Sequence, residues 1–405
     1  MALIVEFDCT SKPPSIVILE AHQACSGATA RNGGQLKPDS FHRASSLARD
    51  YGIDAAEKVA AFKAKHLAAF QSLMQMENLS VTLRSAERMM CILTRVVSLR
   101  LEVDNYQDFI DKGSRTVKKT DIIPQELAES VSSVIGALGG LTYPTGRLWP
   151  YKFVMQLLER LVSIGINLQT YTPVLGVSDS THANERWEVR TDRGVVRAKR
   201  VVFSTNEYTS TIAPQYKGKI VPVRGVCGRT VVPNPPEHAM ENSYILRFND
   251  WHFDYLASRP DGSIIVGGVK PTFYHDTAQW YNNTDDSEVS GSAIRYFDDY
   301  MQRHFHDWQD TGAYTDRVWT GIMGYTTDGL PYVGIIPNKP GQLVLARFNG
   351  RGMPQVFLTA EGLAQMIVDG VGYEDTGLPR LFKTNKEPLE NQKSQILSGV
   401  EEKTM

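Results

Sequence analysis

Residues 14–34 read PSIVILEAHQACSGATARNGG, and the reading of this stretch decides the fold. The apolar run Ile16–Leu19 ends on an acid, Glu20, and gives way to small residues. A buried strand followed by such residues lets a backbone press against something flat and charged, and a dinucleotide is the usual occupant. An acid at the C-terminal end of that strand is placed to accept hydrogen bonds from ribose hydroxyls. Ser26, Gly27, Ala28 and Thr29 offer backbone N–H groups and little bulk beside a pyrophosphate, although an ordinary Gly/Ser loop reads the same way. Arg31, Asn32 and Gly33 either continue along the ligand or make a tight turn into the next helix.

Upstream, only fourteen residues precede Ser15. A dinucleotide fold opens with a strand, a glycine loop and a helix, and nothing here matches that opening. The run ALIVEF can form a strand. The six residues Asp8 to Pro13 are too few for a parallel crossover, which needs ~10 to 12. If Leu3–Phe7 pairs with Ile16–Leu19, it therefore does so antiparallel or across other strands. Either the sequence is a shortened version of a longer gene product, or the chain does without its main phosphate cradle.

Downstream, the spacing of Val59, Phe62, Leu67, Phe70, Leu73 and Met74 predicts a long amphipathic helix from Ile53 to Met76. Residues 79–124 mix short β-like runs with charge. GALGGLTYPTGRLWP reads as loop, and YKFVMQLLERLVSIG as a helix. WEVRT-DRG-VVRA reads as a hairpin with a three-residue connection, placing Trp187, Val189, Val195 and Ala198 inward. Its expected partner is VVFSTN, an apolar strand meeting a polar turn as central parallel strands do at ligand sites. Strands dominate Lys219–Lys270, and a helix carries Tyr296, Met301 and Phe305. The chain closes with GIMGYTTDGLPYVGII, a strand QLVLARF, a glycine turn and a last helix PQVFLTAEGLAQMIV, before a polar tail.

The 405 residues fit two ordinary domains, 42% hydrophobic and 22% charged, with a net charge of -2 that gives no footprint for nucleic acid. Cys9, Cys25, Cys91 and Cys227 are far apart and form no CxxC, which argues against zinc or a disulfide framework and fits a reducing compartment. No basic signal region or membrane-length apolar run is seen, so a cytoplasmic protein without membrane contact is expected. His304 and His306 lie two apart in a predicted helix and diverge, so no metal is expected.

Four stretches in order resemble the FAD-dependent oxidoreductases of the D-amino-acid oxidase superfamily: PSIVILEAHQACSGATARNGGQ, RVVFSTNEYT, KIVPVRG, and GIMGYTTDGLPYVG running into ARFNGRGM. The GATxRNGG form is most similar to the γ-glutamylputrescine-oxidase-like and fungal branches. The resemblance implies an α/β fold, a Rossmann-like FAD-binding domain interleaved with an α+β substrate domain built on an antiparallel sheet. Residues 1–84, 131–215 and 312–384 would form the first, 85–130 and 216–311 the second, and 385–405 the tail. It implies FAD as cofactor, held by Glu20, Ser26, Gly27, Ala28, Thr29, Arg31, Asn32, Gly33, Gly350, Gly352 and Met353. In FNGRGMPQ, the last helix would direct N–H groups toward charge on reduced flavin, with Pro354 in its first turn. Arg351, where the family usually has His in GHG, is either an added anion stabiliser or a solvated turn residue.

Relatives that oxidise amino acids commonly read GLRP, their arginine gripping the substrate carboxylate, where this chain reads Gly321-Ile322-Met323-Gly324. Met323 cannot do that and favours an apolar or larger substrate. Arg224, or less readily Arg317, could supply the charge, and Arg224 reads equally as a strand-edge arginine. Tyr255, His252 and Trp251 are candidate pocket walls. The expected activity is hydride transfer to flavin from a C–H beside nitrogen or oxygen of a small metabolite, as a tailoring step in a specialised biosynthetic pathway. The alternative is a flavin-free relative that keeps the fold as a binding protein. Oligomeric state is left open.

Overall fold

A computed structural model describes residues 2–6, 15–38, 43–81, 83–93, 96–116, 120–181, 186–237, 240–249, 252–326 and 329–384. The predicted tail and Trp251 lie outside them. The chain opens with β1 (Ala2–Glu6), β2 (Ser15–Leu19), a single turn α1 (Ala28–Arg31) and β3 (Gln35–Leu36). Helices α2 (Ala44–Tyr51) and α3 (Ile53–Met76) follow, then β4 (Arg84–Leu93), α4 (Val96–Asp111), β5 (Asp121–Ile123), α5 (Gln125–Ser132) and β6 (Gly140–Arg147). Next come α6 (Pro150–Ser163), β7 (Asn167–Gln169), β8 (Val174–Val177), β9 (Trp187–Thr191), β10 (Gly194–Ala198), β11 (Arg200–Phe203) and α7 (Thr209–Ile212). The second half runs β12 (Ile220–Val231), β13 (Ser243–Arg247), β14 (Phe253–Ser258), β15 (Ile264–Gly268), α8 (Gly291–Tyr296) and α9 (Tyr300–His304). It ends with β16 (Tyr314–Thr326), β17 (Tyr332–Ile335), β18 (Gln342–Ala346) and α10 (Val356–Val368).

Among the described residues the first sheet has the order β17-β18-β11-β1-β2-β7. β11 pairs parallel with β18, and β2 with β7. Between them β1 runs antiparallel to both neighbours, Ala2 opposite Leu19 and Phe203. This is the antiparallel pairing that the short 7–14 connection requires. Because β1 is reversed, its first residue, not its last, lies beside the C-terminal ends of β2 and β11, where α/β sheets bind ligands. Alternation divides the sheet between two cores: Val202, Leu343 and Leu345 pack with helices α2, α3 and α10, while Val201, Phe203 and Val344 pack with Trp187 and Val189.

The hairpin β9–β10 corrects two expectations. It turns on two residues, so Trp187 faces Ala198 and Val189 faces Val196, while Val195 sits opposite Arg190 and is 53% exposed. Its partner is β8, and β11 lies instead in the first sheet, where both of its faces need apolar cover. GALGGLTYPTGRLWP, read as loop, contains β6, whose pairing with β3, β4 and β5 outweighs its Gly and Pro content. α4 lies where short β-like runs were expected, and the helix expected around Met301 is split into α8 and α9 at Asp299, which adopts φ +50. α3 matches its expected span, burying Val59, Phe62, Phe70 and Met74.

The second sheet orders β16-β12-β15-β14-β13-β4-β6-β3, with β5 beside β6. β6 and β16 thus pair in this sheet, although their ranges were grouped with the first domain. Register shows two faces. Val226, Ile264, Val266, Leu256 and Leu246 cover a core with Phe297, Tyr300 and Met301 of the α8–α9 region. The opposite face carries Gly225 beside Gly321, and Cys227, Gly267 and Tyr255 in a row.

Candidate functional site

At the end of β2, one Glu20 carboxylate oxygen accepts the His22 N–H at 3.1 Å, and among the described residues the other accepts no hydrogen bond. After it, Gly27 caps α1, and a Cβ placed there would meet nothing within 4 Å, so the backbone borders open space. Burial pushes the Cys25 thiol up to about 11, so it is no thiolate at neutral pH.

Arg31 ties this loop to Asp286 and to β16. Its guanidinium donates to the carbonyls of Ser26, Asp286 and Thr320 and pairs with the Asp286 carboxylate at 2.9 Å. The Trp319 indole N–H returns a bond to the Arg31 carbonyl. Asn32 is also occupied locally: its amide donates to Ala28 and Thr29 and its oxygen accepts from Gly34. Gly33 closes on the second sheet, where a Cβ would touch the Tyr255 ring at 3.5 Å.

The glycine turn after β18 meets the same sheet face. Gly350 has φ +69, and a Cβ there would fall 2.7 Å from the Tyr325 hydroxyl and 3.0 Å from the Met323 sulfur. Met323 in turn lies over Gly225, its methyl 2.8 Å from where a Cβ would be. Side chains at Gly225, Gly321 and Gly267 would collide with or crowd Met323, Arg31 and Tyr255, so this face has a floor of glycine. The Tyr255 hydroxyl and Cys227 sulfur lie 3.2 Å apart. Burial pushes Cys227 up to about 11 and Tyr255 well above its ordinary value, so both are neutral.

Two asparagines hold this turn. Asn206, at φ +43 after β11, accepts the N–H groups of Arg347 and Phe348. Asn349 accepts the Thr326 N–H and donates to Arg347. Beside Asn206, burial pushes Glu207 up to about 7 while the Asn206 amide donates to it at 2.7 Å. Neither asparagine was singled out in sequence; a polar turn directly after a wholly apolar strand is the signal that could have found Asn206.

α10 begins at Val356, two residues after Pro354. The Gly352 carbonyl takes the N–H groups of Gln355 and Val356, and buried His66 of α3 takes that of Leu358 at 3.3 Å. His66 donates from its other nitrogen to Phe62, and burial holds it neutral. The first N–H groups of α10 are therefore largely bonded within the protein, and Arg351 adds a side-chain positive charge at this end. It borders a pocket shared with Arg43, Lys63 and Gln355, close enough to Tyr325 to act on its hydroxyl. Gly352 approaches Phe348, and Met353 packs near Phe70 and Phe153.

Gly33, Gly350, Met323 and Tyr255 thus come together. Arg224 does not join them: successive strand residues point oppositely, and it projects from the face shared with Val226 and Thr320. Arg317 is exposed far along β16. His252 lies beside Asp254 on the α8–α9 side, hydrogen-bonded to Tyr296, and lines nothing near Gly350. His304 packs against Tyr300, whereas His306 pairs with Glu129.

FAD fits these residues. An open acid ends β2, small residues expose backbone beside it, and a neutral glycine floor faces a turn bearing a cation. Glu20 and Ser26–Thr29 would hold the nucleotide half, and Gly33, Gly350 and Arg351 would border the ring.

A family model described as FAD dependent oxidoreductase, DAO, matches residues 7–366. Glycine oxidase from Geobacillus kaustophilus superposes with a TM-score of 0.70 at 18% identity, covering 89% of each chain. L-proline dehydrogenase from P. horikoshii gives 0.67 at 17% identity, covering 88% of this chain and 87% of its own. L-alpha-glycerophosphate oxidase from Mycoplasma pneumoniae, with FAD bound, gives 0.64 at 12% identity over 87% and 88%. No curated protein matches the chain. These identities speak for the fold, and the family match disfavours the flavin-free alternative. Among the described residues no helix is long and apolar enough to cross a membrane.

Proposed function

The chain belongs to the DAO family of FAD-dependent oxidoreductases, and within it we propose oxidation of a C–N or C–O bond in a small metabolite that carries no free carboxylate at its reacting end. Bound flavin supplies a hydride acceptor at N5. Met323 carries the reading: it fills the space between Gly225 and Gly350 on the face toward the first domain, leaving an apolar thioether there. Arg31, which borders that face at Gly321, is already held by three carbonyls and Asp286, and Arg351 stands across the floor on the glycine turn. The neighbours named for glycine and proline act on amino acids; a free carboxylate set against Met323 would lose its water without a partner.

The chain's own groups would position and exclude. Met323, Tyr255 and the glycines shape an apolar floor, and Asn206 and Asn349 fix the turn that carries Arg351. Cys227 and Tyr255 keep their protons, so neither serves as a base, and a neutral amine or alcohol suits this surface. A tailoring role in a specialised pathway rests on the GATARNGG resemblance.

The test is anaerobic flavin reduction by matched pairs, each an amino acid and its methyl ester or decarboxylated amine. The neutral-ended member is expected to reduce flavin faster, and Met323→Arg to reverse the order. Preference of the wild type for free amino acids overturns the reading.

A further inference from the structure

Behind the floor just described, between β12 and the segment 283–290 that leads into α8, lies a cavity of about 200 Å³. Arg224, Gln279, Glu288, Ser290 and Thr320 form its polar lining, and Val226, Phe273 and Val289 its apolar wall. Strand alternation puts it on the opposite face of β12 from Met323. The Arg224 guanidinium is only partly used: one terminal nitrogen donates to the Glu288 carbonyl, its Nε is buried without a hydrogen-bond partner, and among the described residues it makes no ion pair, although the Asp285 carboxylate is near enough for the two charges to act on each other. A cation so placed is short of acceptors, and a carboxylate matches its donors in charge and geometry.

From this juxtaposition we infer a second binding site, for a small organic carboxylate with a short apolar body, its carboxylate on Arg224 and its body against Val226, Phe273 and Val289. Glu288 lines the same cavity and is exposed, so its carboxylate is to turn into solvent when the ligand binds. The wall formed by 283–290 is tied to the cofactor-side loop, since Asp286 pairs with Arg31 and takes the Thr320 hydroxyl on its carbonyl. Occupancy of the cavity therefore bears on Arg31, and the site acts as an effector site separate from the reacting face. The inference does not depend on which substrate is oxidised.

The holoenzyme is titrated with butyrate by calorimetry at fixed ionic strength, with butyramide as the neutral control. Butyrate is expected to bind saturably and butyramide not. Arg224→Met should weaken butyrate by about tenfold or more. Val289→Trp, which fills the cavity and leaves Arg224 in place, should abolish binding, and it covers the case in which the first variant fails to fold. Hydrogen exchange over 283–290 should slow with butyrate bound. No saturable binding, equal binding of butyramide, or binding that survives both substitutions overturns the site. A shift of the flavin absorption bands by butyrate that persists in Arg224→Met would place the carboxylate on the other face and overturn it as well.

Discussion

The two faces of β12 are made by alternate residues of one strand, yet they differ in character. Gly225 and Cys227 look toward the first domain across a neutral floor closed by Met323 and Tyr255. Arg224 and Val226 look the other way, into an open cavity with a cation. One step along a strand thus separates an apolar reacting surface from a polar one, and a charge present in the sequence says nothing about a site until its face is known.

The severest test of the neutral floor is Gly267→Val. Its Cβ would strike the Tyr255 ring, so a loss of about 3 kcal/mol or more in urea unfolding is expected. Adding Tyr255→Ala should recover much of it; no recovery would show that the two do not compete for this space.

Glu207 tests how far the neutral character extends toward β11. Its folded-state value is raised to about 7, so its contribution is complete at low pH and is lost as pH rises from about 4.5 through 7. The full swing is up to about 3 kcal/mol. Glu207→Gln should flatten the difference between unfolding curves at pH 5 and pH 8, and an unchanged slope would remove Glu207 as its source.

His66 lies on the opposite limb. Burial lowers its value, so its contribution is present above the ordinary histidine range and is lost as pH falls below it. His66→Leu should cost about 1 to 2 kcal/mol by stranding the Leu358 N–H, and should remove that acid sensitivity in thermal melts. The smallest effect belongs to the link between the faces: Asp286→Asn breaks an ion pair whose partners are each 30% exposed, worth about 0.5 kcal/mol. Faster hydrogen exchange confined to 283–290 is its signature.

Much of the frame was readable in advance. The periodicity of Val59, Phe62 and Phe70 delimits α3, and six intervening residues suffice to rule out a parallel β1–β2 pair. Other parts depend on partners distant in sequence. β6 looks like loop because Gly and Pro mask a strand that three neighbours pair with. Val195 faces outward because the turn has two residues, not three. At the site, Glu20, Gly33 and Gly350 were legible as small or acidic residues at strand ends. Arg31's commitment to Asp286 and Arg224's turn to the far face were not, since both follow from β16 lying beside β12.

The reversed β1 also has a consequence for how the chain is made. Its pairing with β2 is available as soon as Leu19 has emerged, whereas its other edge is completed by Arg200–Phe203, far later in the chain. During synthesis a hairpin with one open backbone edge must wait while β3 to β10 emerge, so its late closure sets a high contact order and leaves a template for intermolecular pairing. Chaperone dependence and aggregation of ribosome-bound fragments should accordingly fall once synthesis passes β11.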